Sequence, residues 1–311
     1  MCGIAGIIHL NGPGDVGREM TRMLQSMKHR GPDSAGFAVY GEPSDVLVMR
    51  FTLANPNDSE DFDFRSRLER SRKQVESRLS DLGAVLEATT EQGEATYSYR
   101  ATFRYEGDLK PLTDYIENVP GCEVLSIGHS LEIIKDLGTA QSVSARYKLD
   151  AFHGTHAIGH VRMATESEVD ISGAHPYWAY PFSDVAVVHN GQLTNYHSWR
   201  RRLERSGHRF QSECDSEIIA VYLAERMADG LGLETAMKQS LDDFDGVFTY
   251  LAVTATSLGM AKDEMAAKPL VLYTSDDLVA LASEETAIRA VLNHEIDTYD
   301  PYEREVMVWT R

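Results

Sequence analysis

The sequence predicts an α+β fold in which sheets and helices pack in layers. Three observations predict it: short apolar strand candidates lie near both ends, amphipathic helices lie between them, and a stretch of different texture interrupts the first half. The chain reads as one domain over 1–311, with a smaller α+β subdomain inserted at 42–150.

Ile4 to Leu10 is a strand candidate, largely apolar on both faces, and Asn11-Gly12-Pro13-Gly14 ends it. Asp15 then caps a helix whose apolar residues Val16, Met20, Met23, Leu24 and Met27 form one stripe. Gly31 and Pro32 stop that helix, and Phe37 to Tyr40 follows as a strand. Inside the insert, Asn55 to Asp63 is acidic and loop-like, and Arg65 to Leu82 alternates charges at helical spacing over a thin apolar stripe. Ala84 to Thr89 and Ala95 to Tyr105 read as a strand pair, Asp108 to Val119 as a capped helix, and Cys122 to Ile127 as a strand. Ser130 caps one further short helix in this reading, with Leu131, Ile134 and Leu137 on one side and Gly138 as its stop.

The main domain resumes near Phe152. His156 to Met163 and Val185 to His189 are strand candidates; Asn195 to Ser206, Asp215 to Met227 and Leu233 to Phe244 are helices. Val247 to Val253, Leu270 to Tyr273, Leu278 to Ala282 and Glu305 to Trp309 close the chain as short strands.

Composition narrows the function. Asp and Glu total 48 against 30 Lys and Arg, a net charge of −18, which argues against nucleic acid or an anionic membrane as partner. Cys2, Cys122 and Cys214 are an odd number with no CxxC pair, so the expected home is a reducing cytoplasm. The uncharged stretch Val247 to Ala261 is shorter than the ~20 residues of a membrane span.

The opening, Met1-Cys2-Gly3-Ile4-Ala5-Gly6, has a distinctive chemical potential. Removal of Met1 would leave a thiol and a free α-amine on one residue, titrating near ~8.5 and ~7.7–8.0, so that one serves as base for the other. The plainer reading is a small buried cysteine at a strand start. Arg162 stands in an apolar strand and needs an anion, either a structural carboxylate or the α-carboxylate of an amino acid. Asn190-Gly191 reads either as a two-residue hairpin turn or as an oxyanion hole. Asp215 is either a helix N-cap or the acceptor for a substrate ammonium group. His156 and His160, about 13 Å apart on a strand at ~3.3 Å per residue, do not share a metal, and no metal site is expected. His29 and His175 are either acid/base groups or hydrogen-bonded structural histidines.

Taken together, Cys2-Gly3-Ile4-Ala5-Gly6, Arg30-Gly31-Pro32-Asp33-Ser34-Ala35-Gly36, Gly159-His160-Val161-Arg162-Met163-Ala164-Thr165, His189-Asn190-Gly191, Asp215-Ser216-Glu217 and Ala282-Ser283-Glu284 occur in an informative order. The set resembles the glutaminase domain of class-II glutamine amidotransferases, which are N-terminal-nucleophile hydrolases. The resemblance implies a four-layer αββα sandwich. It implies that Cys2 attacks the side-chain amide of L-glutamine with its own α-amine as base, forming a γ-glutamyl thioester. Asn190 and Gly191 would hold the oxyanion, Arg162 and Thr165 the α-carboxylate, and Asp215 the α-amine; Arg30 would position the nucleophile end of the pocket. Recognition at both ends of the amino acid favours free glutamine over a glutamine within a peptide.

Three departures from the family pattern stand out: Met163 beside the arginine, the glycine-free stretch Lys262 to Leu270, and the long insert. After Glu284 the chain runs only to Arg311, too short for an acceptor domain. In plan it is similar to the separate amidotransferase subunits of split glutamate synthases and N-methylglutamate synthases. There a partner carrying FMN and an iron–sulfur cluster consumes the ammonia, and this chain itself carries no cofactor. The alternatives are a free-standing amide hydrolase acting on a γ-glutamyl compound and a catalytically silent assembly subunit.

Overall fold

A computed structural model of the chain describes residues 2–54, 63–163, 171 and 173–311. Among them, β1 (Gly3–His9), β2 (Ser34–Tyr40), β7 (Leu131–Leu137), β8 (His156–Arg162), β13 (Val271–Thr274) and β14 (Leu278–Ala282) form one antiparallel sheet in the order β13-β14-β1-β8-β2-β7. A second, β15-β12-β11-β10-β9, contains β9 (Tyr177–Trp178), β10 (Ala186–Leu193), β11 (Gly246–Val253), β12 (Ser257–Lys262) and β15 (Val306–Thr310). The inner strands β1 and β8 face β10 and β11, so the sheets stack face to face.

Helices cover both outer faces. α1 (Val16–Ser26), α4 (Ala140–Tyr147) and α8 (Glu285–Arg289) pack on the first sheet; α5 (Tyr196–Arg205), α6 (Asp215–Ala228) and α7 (Leu233–Asp243) form the layer over the second. The result is the expected αββα order. Strand β1 lies between two neighbours with a sheet on one face and α1 on the other, which is why its sequence lacks polar alternation. Ile4, Ile7 and Ile8 are fully buried, each contributing ~1.5–3 kcal/mol.

The insert forms a third sheet, whose apolar residues share one core with the six-stranded sheet. β3 (Leu47–Thr52), α2 (Phe64–Asp81), β4 (Val85–Gln92), β5 (Ala95–Arg104), α3 (Leu109–Glu117) and β6 (Glu123–Gly128) follow a β-α-β-β-α-β order, with the sheet arranged β4-β5-β3-β6. That connectivity is the ferredoxin-like split βαβ plait. Asp108 caps α3 as expected, its side chain accepting from the Lys110 N–H at 2.9 Å.

One expectation is overturned. Residues 130–138 are not a helix; Leu131–Leu137 is strand β7, at the edge of the six-stranded sheet. The spacing of Leu131, Ile134 and Leu137 imitates a helical stripe because charged residues occupy buried strand positions. Glu132 is buried between Arg50 (2.6 Å) and Arg100 (3.0 Å), and Asp136 takes bonds from Tyr97, Tyr147 and Arg146. Part of 42–150 therefore returns to the main layers: β7 pairs with β2, and α4 packs on α1.

Candidate active site

The site gathers at one end of the sheet stack. Cys2 is half-buried just ahead of β1, and its carbonyl oxygen accepts from Arg30 Nε at 3.1 Å and Asn190 Nδ2 at 3.2 Å. Arg30 comes from the turn after α1 and Asn190 from β10, so a loop and the second sheet meet at the Cys2 carbonyl. Glu284 anchors Arg30 through Oε1 at 2.7 Å, and the same oxygen lies 3.0 Å from His29 Nε2. Burial would raise the Glu284 carboxyl, but the bonds from Arg30 and His29 outweigh it and hold it below the usual range. Ser283 grips β1 itself: its hydroxyl accepts from the Ile4 N–H at 3.0 Å, and its own N–H donates to Ile4 at 2.9 Å.

Arg162 ends β8 in the register Gly3↔Val161, which places it across from Cys2. The turn at Gly31 passes so close that a Cβ there would lie 2.5 Å from the Arg162 nitrogen, which explains a glycine after Arg30. The Arg162 guanidinium rests against Gly173. Thr165 lies outside the described residues.

Asn190-Gly191 is not a hairpin turn. Both residues lie within β10, opposite Thr249 and Phe248 of β11. Gly191 has φ +144°, and a Cβ there would meet the Val247 carbonyl at 2.1 Å, so only glycine fits this kink. Asp215 opens α6, with Cys214 at the cap position. Its Oδ2 accepts from the Leu193 N–H at 2.8 Å, tying the helix to the end of β10, and Oδ1 lies 3.5 Å from His189 Nδ1. Burial would raise this carboxyl; His189, the Leu193 N–H and Ser216 prevail and depress it.

Burial pushes the Cys122 and Cys214 thiols up, away from the reactive thiolate form. His29 is largely exposed and bonded to Glu284, whereas His175 is buried, which lowers its imidazole well below its usual value. Glu284, Ser283 and Ser216 carry no role in their local sequence, although they stand in Ala282-Ser283-Glu284 and Asp215-Ser216-Glu217; what they hold is visible only once the segments are brought together.

Residues 160–290 match the glutamine amidotransferase domain family. A protein of Methanothermobacter thermautotrophicus, provisionally named a glutamine amidotransferase, is 40% identical over 98% of this chain and 99% of its own length. The glutamine amidotransferase-like protein GlxB of Rhizobium meliloti is 35% identical over 93% of this chain and 91% of its own. Among solved structures, the glutamine phosphoribosylpyrophosphate amidotransferase of B. subtilis superposes with a TM-score of 0.61 at 19% identity, over 99% of this chain but 47% of that one. That likeness bears on the fold, and this chain spans about half the solved enzyme. The chain belongs to the class-II glutamine amidotransferases, with the layered architecture of N-terminal-nucleophile hydrolases.

Proposed function

We propose that this chain hydrolyses the side-chain amide of L-glutamine and passes the ammonia to a separate synthase-type subunit. Met1 is removed, the Cys2 α-amine accepts the thiol proton, and sulfur attacks the amide carbon. The tetrahedral oxyanion is held by the Asn190 amide and the Gly191 N–H, donors of a kind worth ~2.7–4 kcal/mol. Collapse expels ammonia, which leaves with the proton returned by the α-amine, and water then cleaves the γ-glutamyl thioester to glutamate. Arg162 and Thr165 bind the α-carboxylate, Asp215 binds the α-ammonium, and Arg30 holds the backbone of the nucleophile.

The observation that carries this reading is the convergence of Arg30 and Asn190 on the Cys2 carbonyl, with Arg162 one strand away. It brings Cys2, Arg30 and Asn190 together at one end of the sheets with Arg162 on the neighbouring strand, which supports the roles given to them. Burial disfavours the thiolate at Cys122 and Cys214, which supports Cys2 as the nucleophile. For the partner, the supporting fact is that this chain spans nearly the whole of two relatives named for amidotransfer. The partner, by analogy with the split synthases, would carry the FMN and iron–sulfur groups and consume ammonia in the cytoplasm.

Treatment with the glutamine-analogue electrophile diazo-oxo-norleucine, followed by intact mass and peptide mapping, tests the chemistry. One adduct on Cys2, absent from Cys2→Ala, is expected; labelling of Cys122 overturns the assignment. Co-purification from native extract tests the partner, and a lone monomer with full glutaminase turnover counts against it.

A further inference from the structure

Ser216 has no part in the chemistry above, yet its hydroxyl is the centre of a buried polar cluster beneath Asp215. Ser216 is fully buried in the first turn of α6. Its Oγ lies 2.5 Å from His175 Nε2, 2.8 Å from His189 Nδ1, 3.5 Å from Cys214 Sγ and 3.4 Å from Asp215 Oδ1. His160, from β8 of the facing sheet, closes the cluster by packing its ring 4.1 Å from His175.

Counting protons fixes the direction of these bonds. A hydroxyl has one proton and two lone pairs, and an ionised carboxylate only accepts. With both histidines donating to Ser216 Oγ, its single proton is left for Asp215. The remaining ring nitrogens, His175 Nδ1 and His189 Nε2, are buried without a hydrogen-bond partner among the described residues. In this arrangement they are bare lone pairs, and no N–H is stranded. Burial keeps His175 neutral, consistent with a single N–H pointed at Ser216. Asp215 is then held from two sides, by Ser216 at Oδ1 and by the Leu193 N–H at Oδ2, with lone pairs on both oxygens still open.

We propose that Ser216, oriented by His175 and His189, is a positioning residue that aims the Asp215 carboxylate at the α-ammonium of the substrate and so sets the preference for a free α-amino acid amide. The inference rests on the role given to Asp215 above. It is tested by comparing kcat/KM, from ammonia release, for L-glutamine and for glutaramate, which keeps the amide and carboxylate but lacks the amine.

Ser216→Ala is expected to lower the preference for glutamine by about tenfold or more, the effect of losing a hydrogen bond to a charged group, chiefly through KM for glutamine. Equal loss on both substrates, or an unchanged ratio while Asp215→Asn collapses it, overturns the role of Ser216. An unchanged ratio in Asp215→Asn overturns the reading of Asp215, and this inference with it. If Ser216→Ala does not fold, Ser216→Cys, of similar size and a weak donor, replaces it and is read the same way.

Discussion

Glu132 and Asp215 are both buried carboxylates held below their ordinary range, but their surroundings differ. Burial would raise Glu132; Arg50 and Arg100 outweigh it, and two guanidinium groups close its charge completely. Among the described residues Asp215 has the Leu193 N–H, the Ser216 hydroxyl, the Cys214 thiol at 3.8 Å and one histidine at 3.5 Å about it, with no Arg or Lys in ion-pair contact. The first charge is spent on joining the inserted sheet to the main one. The second has no such cation about it among the described residues, as the proposed role of binding an ammonium group requires.

This contrast can be broken or sharpened by substitution. The largest effect is expected at the nucleophile: Cys2→Ala should lower glutamine hydrolysis by ~10⁴-fold or more, since the remaining groups act as a unit with it, and steady-state ammonia release measures this. Glu132→Ala leaves Arg50 buried without its carboxylate and should cost ~3–5 kcal/mol in urea unfolding. Activity per folded molecule should persist, because this pair lies outside the proposed site. Asn190→Ala should cost ~10²–10³ in kcat with little change in KM, the mark of a donor that acts on the transition state.

The smallest effect concerns acid. The folded value of Glu132 is depressed below its unfolded value of ~4.3, so its stabilisation is complete above that value and is lost as pH falls through the lower folded value. Glu132→Gln should therefore flatten the acid limb of a stability–pH curve. An unchanged limb would show that the pair does not contribute to acid stability.

Much of the layered fold was readable because its strands and helices bury apolar residues at their own periods. The strand β1 and the helices α1, α6 and α7 follow from this. β7 was misread because Glu132 and Asp136 occupy core positions that only long-range partners make tolerable, and those partners lie on β3, β5 and α4. β3 escaped notice for a related reason: Arg50 interrupts an otherwise apolar run and pairs 82 residues away.

The candidate site was legible as residue types in a recognisable order, and the structure brings Cys2, Arg30 and Asn190 into contact. What no local pattern contains is the tertiary placement of Ser283, Glu284 and Ser216. Ser283 and Glu284 hold Ile4 and Arg30 across the fold, and Ser216 meets His175 and His189 from distant segments. The hairpin reading of Asn190-Gly191 failed for the same reason, since a turn signal and a strand kink share one dipeptide.

The central claim is that sulfur and nitrogen of one leading residue together cleave the amide. Intact mass of the purified native chain, taken with glutamine turnover on the same sample, tests it most directly. The account predicts a mass lacking Met1 in every active preparation; a chain that keeps Met1 and hydrolyses glutamine at full rate contradicts it.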